Sequence, residues 1–255
     1  MIGIKKYKRE RLLDLTKKIV GIEWKILQSA LLLLLCLHLH GQELQVPKDQ
    51  LSQSSLSNLI QGRIYNPFYE GVRGTQYLTL YWRKGSFNLL DQEYYDFPLW
   101  YDTYLDELVV LDWQCAGFKN IMLTKHHVKD FSFDGRKFIC LTENKIQRKA
   151  IPPGYYEVLV EGEVSLYAKR TSIIKVKEYI GYFERKDRWF ILHGDLIEEL
   201  KNRKNFLQVI NHQYKGKLEE YIKKEKFKFK KAGDREWALL INHYNELIKE
   251  NSPGL

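Results

Sequence analysis

The chain is poor in the residues and motifs that most readily reveal a chemistry. Three cysteines among 255 residues exclude a disulfide-dense scaffold. Six prolines and 16 glycines exclude a fibrous or linker-dominated protein. The patterns G-x-G-x-x-G and G-x-x-x-x-G-K-[ST] are missing, as are H-E-x-x-H, C-x-x-C and G-x-S-x-G. Their absence argues against nucleotide enzymes and zincins. It says little about glycosidases, whose carboxylate pairs obey no sequence spacing. What is abundant is apolar and aromatic: 44% of residues are hydrophobic and 14% aromatic, with 17 tyrosines. That composition is globular.

The longest apolar stretch, Ser29 to Leu39 around the unbroken run Leu31–Leu35, is about half of the ~20 residues that a membrane-crossing helix needs. It has the length of a signal-peptide core, preceded by eight Lys and Arg and followed at once by polar Gly41-Gln42-Glu43. The expectation is a signal peptide over residues 1–42, cut near Gly41 or Gln42, and a periplasmic or secreted protein with no transmembrane span after cleavage. Retention as an anchor helix is the alternative, and Glu23 and Lys25 count against it. A lipid anchor on Cys36 is opposed by Leu35, where a small residue is needed. Residues 1–42 carry five of the nine net positive charges, so the basic balance is partly targeting charge and no nucleic-acid footprint.

Beyond a polar Gln/Ser-rich lead-in at 43–62, residues 63–200 alternate as half-buried strands do. Asp134-Gly135, Glu161-Gly162 and Gly194-Asp195 are turn pairs that join such segments into hairpins. Further strands are expected at Ser86–Leu90, Phe97–Tyr101, Glu107–Asp112, Asn120–Leu123 and Ile173–Phe183. From 201 to 250 the period becomes helical, with stripes at Phe206-Leu207-Ile210, Leu218-Tyr221-Ile222 and Trp237 to Ile248. Gly233-Asp234 supplies a break and an N-cap before the last helix. The fold class expected is α+β: an antiparallel β-meander of about eight to ten strands, barrel-like or a sandwich, followed by a short C-terminal helical segment packed against it.

The order of features resembles a family of uncharacterised secreted proteins of Bacteroidetes-type bacteria. The residues that carry the resemblance are Gly85-Ser86-Phe87, Leu99-Trp100-Tyr101-Asp102, Asp106 to Val110, Val128 to Phe131, the hairpin Tyr155 to Gly162, Leu218 to Lys224 and Ile241 to Leu247. The resemblance implies secretion and a β-then-α layout. That family has no assigned activity.

The window Gly85–Phe118 is the most unusual. It holds seven carboxylates and no Lys or Arg, interleaved with Phe, Tyr and Trp. Carboxylates beside aromatic platforms suit a sugar or peptide cleft, and two carboxylates at the right separation would hydrolyse a glycoside. Trp100, Tyr101, Tyr104, Asp102 and Asp106 are the candidate ligand-binding residues. The plainer reading is that the aromatics are strand residues and the acids solvated turn residues. Cys115 and Cys140 permit one disulfide, or stand as two buried thiols. The adjacent His126-His127 lacks a partner at metal-ligand spacing. Lys223–Lys231 holds six Lys and one Glu around Phe227 and Phe229. It reads as a polyanion or membrane-surface patch, or more simply as a helix end whose lysines complement the dipole. No catalytic residue, cofactor or metal site is assigned. The expected function is an exported, non-catalytic binding protein of the cell envelope, whose partner is an unknown protein or glycan. The alternative is a secreted carbohydrate-active hydrolase working through the acidic-aromatic cleft.

Overall fold

The computed structural model describes residues 62–112, 119–141, 151–194 and 196–251. The expected signal peptide, nearly all of the lead-in, Cys36 and Cys115 lie outside the described residues. The β-region comprises β1 (Arg63–Ile64), β2 (Val72–Arg73), β3 (Arg83–Leu89), β4 (Gln92–Asp102), β5 (Glu107–Asp112), β6 (Lys119–Met122), β7 (Val128–Phe133), β8 (Arg136–Leu141), β9 (Gly154–Val160), β10 (Val164–Lys169), β11 (Ser172–Lys177), β12 (Ile180–Arg185), β13 (Arg188–His193) and β14 (Leu196–Leu200). Three α-helices follow: α1 (Arg203–Val209), α2 (Lys215–Lys224) and α3 (Asp234–Asn251). Eleven strands form one antiparallel sheet in the order β1-β6-β5-β4-β3-β7-β8-β9-β10-β13-β14. A second sheet of three strands, β11-β12-β2, has β2 parallel to β12. The described strands number fourteen, more than expected. Much of the excess comes from the two-residue β1 and β2 and from Ile173–Phe183, which is a hairpin and not one strand.

That split occurs at Glu178-Tyr179, both with positive φ (48° and 67°). Residues of this kind disfavour the left-handed region, so no Asn-Gly signal marks the turn. The β3–β4 turn at Leu90-Asp91 is of the same sort, with φ 54° and 60°. Asp134-Gly135 is the favoured pair and joins β7 to β8 with φ 51° and 70°.

The large sheet is not closed, since β1 and β14 each have one neighbour, yet its N-terminal part curls tightly. Tyr101 on β4 and Tyr155 on β9 are four strand spacings apart, which is ~19 Å in a flat sheet. Their ring centroids are 5.8 Å apart. The inner face is a core of buried rings, with Phe87, Tyr101, Phe131 and Phe138 among them. On the same face further along, Val164, Leu166 and Ile191 meet the helices at Phe206, Leu218, Trp237 and Tyr244. A smaller cluster, Tyr156, Tyr167 and Phe190, lies on the opposite face.

Two polar anchors hold α3 on the sheet. Asn245 accepts from the Val164 amide at 2.9 Å and donates to its carbonyl at 2.8 Å. Asp234 receives Arg170 at 2.6 and 3.0 Å and the Trp189 indole N–H at 2.8 Å. Arg170 is buried and also pairs with Glu157 at 2.5 Å and Asp187 at 2.9 Å. The cap of α3 therefore differs from the expected one. Gly233 is the capping position: its carbonyl accepts from Trp237, and Glu236 accepts its N–H at 2.9 Å. Asp234 is free to serve Arg170.

Candidate functional site

The acidic-aromatic window maps onto β3, β4 and β5, and alternation along β4 separates its candidates. Tyr101 points into the core and is completely buried. Trp100 points to the other face, between Trp82 (4.0 Å, 18° between planes) and Tyr77 (4.1 Å, 13°). Two near-parallel rings at such distances cannot share one face of an indole, so both faces of Trp100 are covered. A sugar ring has no platform there. Its buried Nε1 has no hydrogen-bond partner among the described residues.

Asp102 is buried and fully engaged. Its Oδ2 accepts from Tyr65 at 2.6 Å and its Oδ1 from the amides of Tyr104 and Leu105 at 2.8 and 2.9 Å. Burial raises its pKa, against the pull of those three donors. The Tyr65 hydroxyl is raised by burial and by Asp102. Asp106 stands in the β4–β5 turn with φ 60°. It accepts from Tyr101 at 2.6 Å and pairs with Lys125 at 3.1 Å and Lys169 at 2.8 Å. Burial lowers the Lys169 pKa, and Asp106 opposes that shift. Gly154 is required here: a Cβ would lie 2.0 Å from Asp106 Oδ2. The two carboxylates therefore serve different internal donors, one bracing the turn and the other clasping the curl shut. Elsewhere in the window Lys84 pairs with Asp96, Lys129 with Asp91 and Lys125 with Glu107. The acidic run is largely matched by cations on neighbouring elements.

Tyr104 is the most exposed of the aromatic candidates, and the structure gives it companions that sequence spacing does not reveal. Its ring meets Tyr69 edge-on at 5.3 Å and Phe183 at 5.6 Å, and Tyr69 meets Phe183 at 5.3 Å. Phe183 comes from β12, Tyr69 from the segment before β2, and Tyr104 from the β4–β5 turn. Thr103 holds these elements together. Its hydroxyl lies 2.8 Å from that of Ser172 and receives Arg185 at 2.7 Å. The Ser172 amide donates to the Thr103 carbonyl at 3.0 Å. Phe68 (81% exposed) and Leu105 (42%) adjoin Tyr69 and Tyr104 in the chain. Val176 and the fully exposed Tyr179 lie further along the β11–β12 hairpin. Of the eleven exposed large hydrophobics among the described residues, Leu239 alone lies in the helical segment.

His126 and His127 lie in a 3-10 turn, Lys125–His127, with ring centroids 4.2 Å apart. Among the described residues no group of three His, Cys, Asp or Glu could hold a metal ion. Cys140 is buried with Sγ 3.6 Å from the Lys125 carbonyl oxygen; its proposed partner Cys115 lies outside the described residues. No helix among the described residues is long and apolar enough to cross a membrane. In comparisons with known proteins, no family model, curated protein or solved structure matches the chain.

Proposed function

We propose that the protein is a non-catalytic binding module exported to the cell envelope, and that it engages a protein partner through the rim of Phe68, Tyr69, Tyr104, Leu105 and Phe183. The observation that carries this reading is the exposure of Phe68, Tyr104 and Leu105 beside three rings locked edge to edge. Rigid aromatics bury much area at little entropic cost and dominate interface energetics. The rim pairs aromatic with aliphatic side chains, a mixture that suits a protein surface better than a hydroxyl-rich glycan. The curled sheet serves as a barrel-like scaffold under it. Export rests on the basic segment and leucine run of residues 1–42.

The test is photo-crosslinking in the native envelope, with the reactive residue at Phe68 or Tyr104 and, as control, at exposed Asn242 on α3. One discrete adduct from the rim positions and none from Asn242 is expected. Tyr104→Ala should weaken that complex by more than about 1 kcal/mol, under conditions where the variant, which also loses two edge-on ring contacts, is still fully folded. Equal adducts from all three positions would remove the rim as the interface. Polysaccharide hydrolysis by the purified protein, lost in Asp106→Asn, would overturn the non-catalytic reading.

A further inference from the structure

Most described lysines of the β-region are ion-paired, Lys177 and Lys186 being among the exposed exceptions, whereas those around the end of α2 are unpaired as a group. On the β-region, Lys84, Lys125, Lys129, Lys137, Lys169 and Lys175 are each within ion-pair distance of a carboxylate. At the end of α2 and beyond it, Lys223, Lys224, Lys226, Lys228, Lys230 and Lys231 are all exposed, and none makes an ion pair among the described residues. Of the acids close by, Glu219 takes Arg203 at 3.2 Å and Glu236 takes the Gly233 amide, while Glu220 and Glu225 stand among the lysines without an ion pair among the described residues. Two shallow concavities, about 290 and 670 Å³, share Lys226 and Phe227 as their common wall. One is lined also by Lys228, Lys231 and Leu239, the other by Lys223, Arg203 and Phe229. Leu239 is 52% exposed beside them. The hollows also hold two carboxylates each, Glu225 and Glu236 in one and Glu219 and Glu220 in the other, so the positive excess lies in the run Lys223–Lys231 and not in the hollows themselves.

We infer that this surface docks on a bilayer rich in anionic phospholipid, independently of the aromatic rim. Charge complementarity is the ground. The nine residues Lys223–Lys231 carry a net charge of +5, and lysines near an anionic surface add binding energy roughly in proportion to their number. The apolar stems and Leu239 suit the headgroup boundary, where aliphatic groups sit below charged tips. Single-stranded nucleic acid fits less well. Phe227 and Phe229 pack edgewise on Trp237 at 5.4 and 5.6 Å and on each other at 4.7 Å, which leaves no pair of open faces for bases. An acidic protein would be recognised through fixed donor geometry, whereas these lysines are long, unpaired and defined mainly by their density.

The experiment compares sedimentation of the full chain with vesicles of phosphatidylcholine alone and of phosphatidylcholine with phosphatidylglycerol. A charge-reversed triple, Lys226→Glu, Lys228→Glu and Lys231→Glu, is set beside a control triple, Lys177→Glu, Lys186→Glu and Lys249→Glu. All these sites are exposed, and unchanged circular dichroism and Tm certify both variants. The leucine run is common to every arm, so differences report the lysines. Preference for acidic vesicles should fall by about tenfold or more in the first triple, much less in the control, and should weaken between about 0.1 and 0.5 M salt. Equal binding to neutral and acidic vesicles, equal losses in the two triples, or tighter binding to a single-stranded oligonucleotide or a polyglutamate chain than to acidic vesicles would each overturn the inference.

Discussion

Asp102 and Trp100 stand two residues apart on β4 and so share a face, opposite that of Tyr101. Asp102 is buried and its pKa is raised from the ordinary value of 3.8. A carboxyl with a raised native pKa stabilises the fold most when protonated, and that contribution is lost as pH rises from 3.8 through the native value. Asp102→Asn keeps an acceptor for the two amides and removes the ionisation. Its stability should be within about 1 kcal/mol of wild type near neutrality, and the difference, wild type minus variant, should shrink or reverse as pH rises through that window. Tm of both proteins against pH is the measurement. Asp102→Ala should instead cost about 2–3 kcal/mol, because the Tyr65 hydroxyl and two amides lose their acceptor. Trp100→Ala deletes the middle ring of a three-ring stack. We expect a loss of about 3 kcal/mol of stability in chemical denaturation, the behaviour of a packing residue. A loss under about 1 kcal/mol would mean that the stack is not a structural element.

At the scale of elements, the ends of the helices carry most of the specific chemistry. α2 ends in a Schellman arrangement: the Phe227 amide donates to the Ile222 carbonyl at 3.0 Å and that of Lys226 to Lys223 at 3.2 Å. The left-handed position is held by Lys226, φ 50°, where glycine has no Cβ penalty. Lys226→Gly should therefore raise stability by about 0.5–1 kcal/mol, read as a higher denaturation midpoint. α3 begins at Asp234, whose pKa burial alone would raise but which the hydrogen bonds of Arg170 and Trp189 bring below 3.8. Its stabilisation is present above 3.8 and is lost as pH falls through the lower native value. Asp234→Ala should cost about 1–2 kcal/mol at neutral pH, less than for a fully buried pair, because the side chain is 46% exposed and Arg170 keeps Glu157 and Asp187. The Tm deficit of this variant should close at acid pH.

On the scale of the whole molecule, the helices are a lid on the sheet. Val164, Leu166 and Ile191 are buried against Trp237, Leu240 and Tyr244, and short helices are marginal in water without such packing. Truncation after Leu200 would bare that face, and the remaining fragment should aggregate or lose fixed tertiary packing, seen as lost near-ultraviolet dichroism. A soluble fragment melting at the midpoint of the longer chain would show that the helices add nothing to the β-fold.

Much of this layout is local and could be read from residue order. β5, β7, β8 and β14 are strands that partly apolar runs bounded by turn residues mark out in the sequence, and along β8 the burial alternates as period two requires of a strand with one buried face. The three helical stripes lie on the observed α1, α2 and α3, and Asp134-Gly135 announces its turn through a residue that tolerates positive φ. Glu178-Tyr179 and Leu90-Asp91 announce nothing, since their conformation is imposed by the pairing of their strands. The candidate site divides in the same way. Tyr104 stands out in an aromatic window, but Tyr69 and Phe183 join it only when β12 lies beside the β4–β5 turn. Tyr101 and Trp100 look alike in the sequence, and only curl and stacking show one in the core and the other clamped between rings. Which carboxylate is matched by which cation is likewise a long-range fact: Lys169 reaches Asp106 because the sheet bends. Alternation and turn chemistry act between near neighbours and are written in the chain, whereas curl, stacking and charge pairing arise from contacts between distant segments and are decided by the tertiary structure.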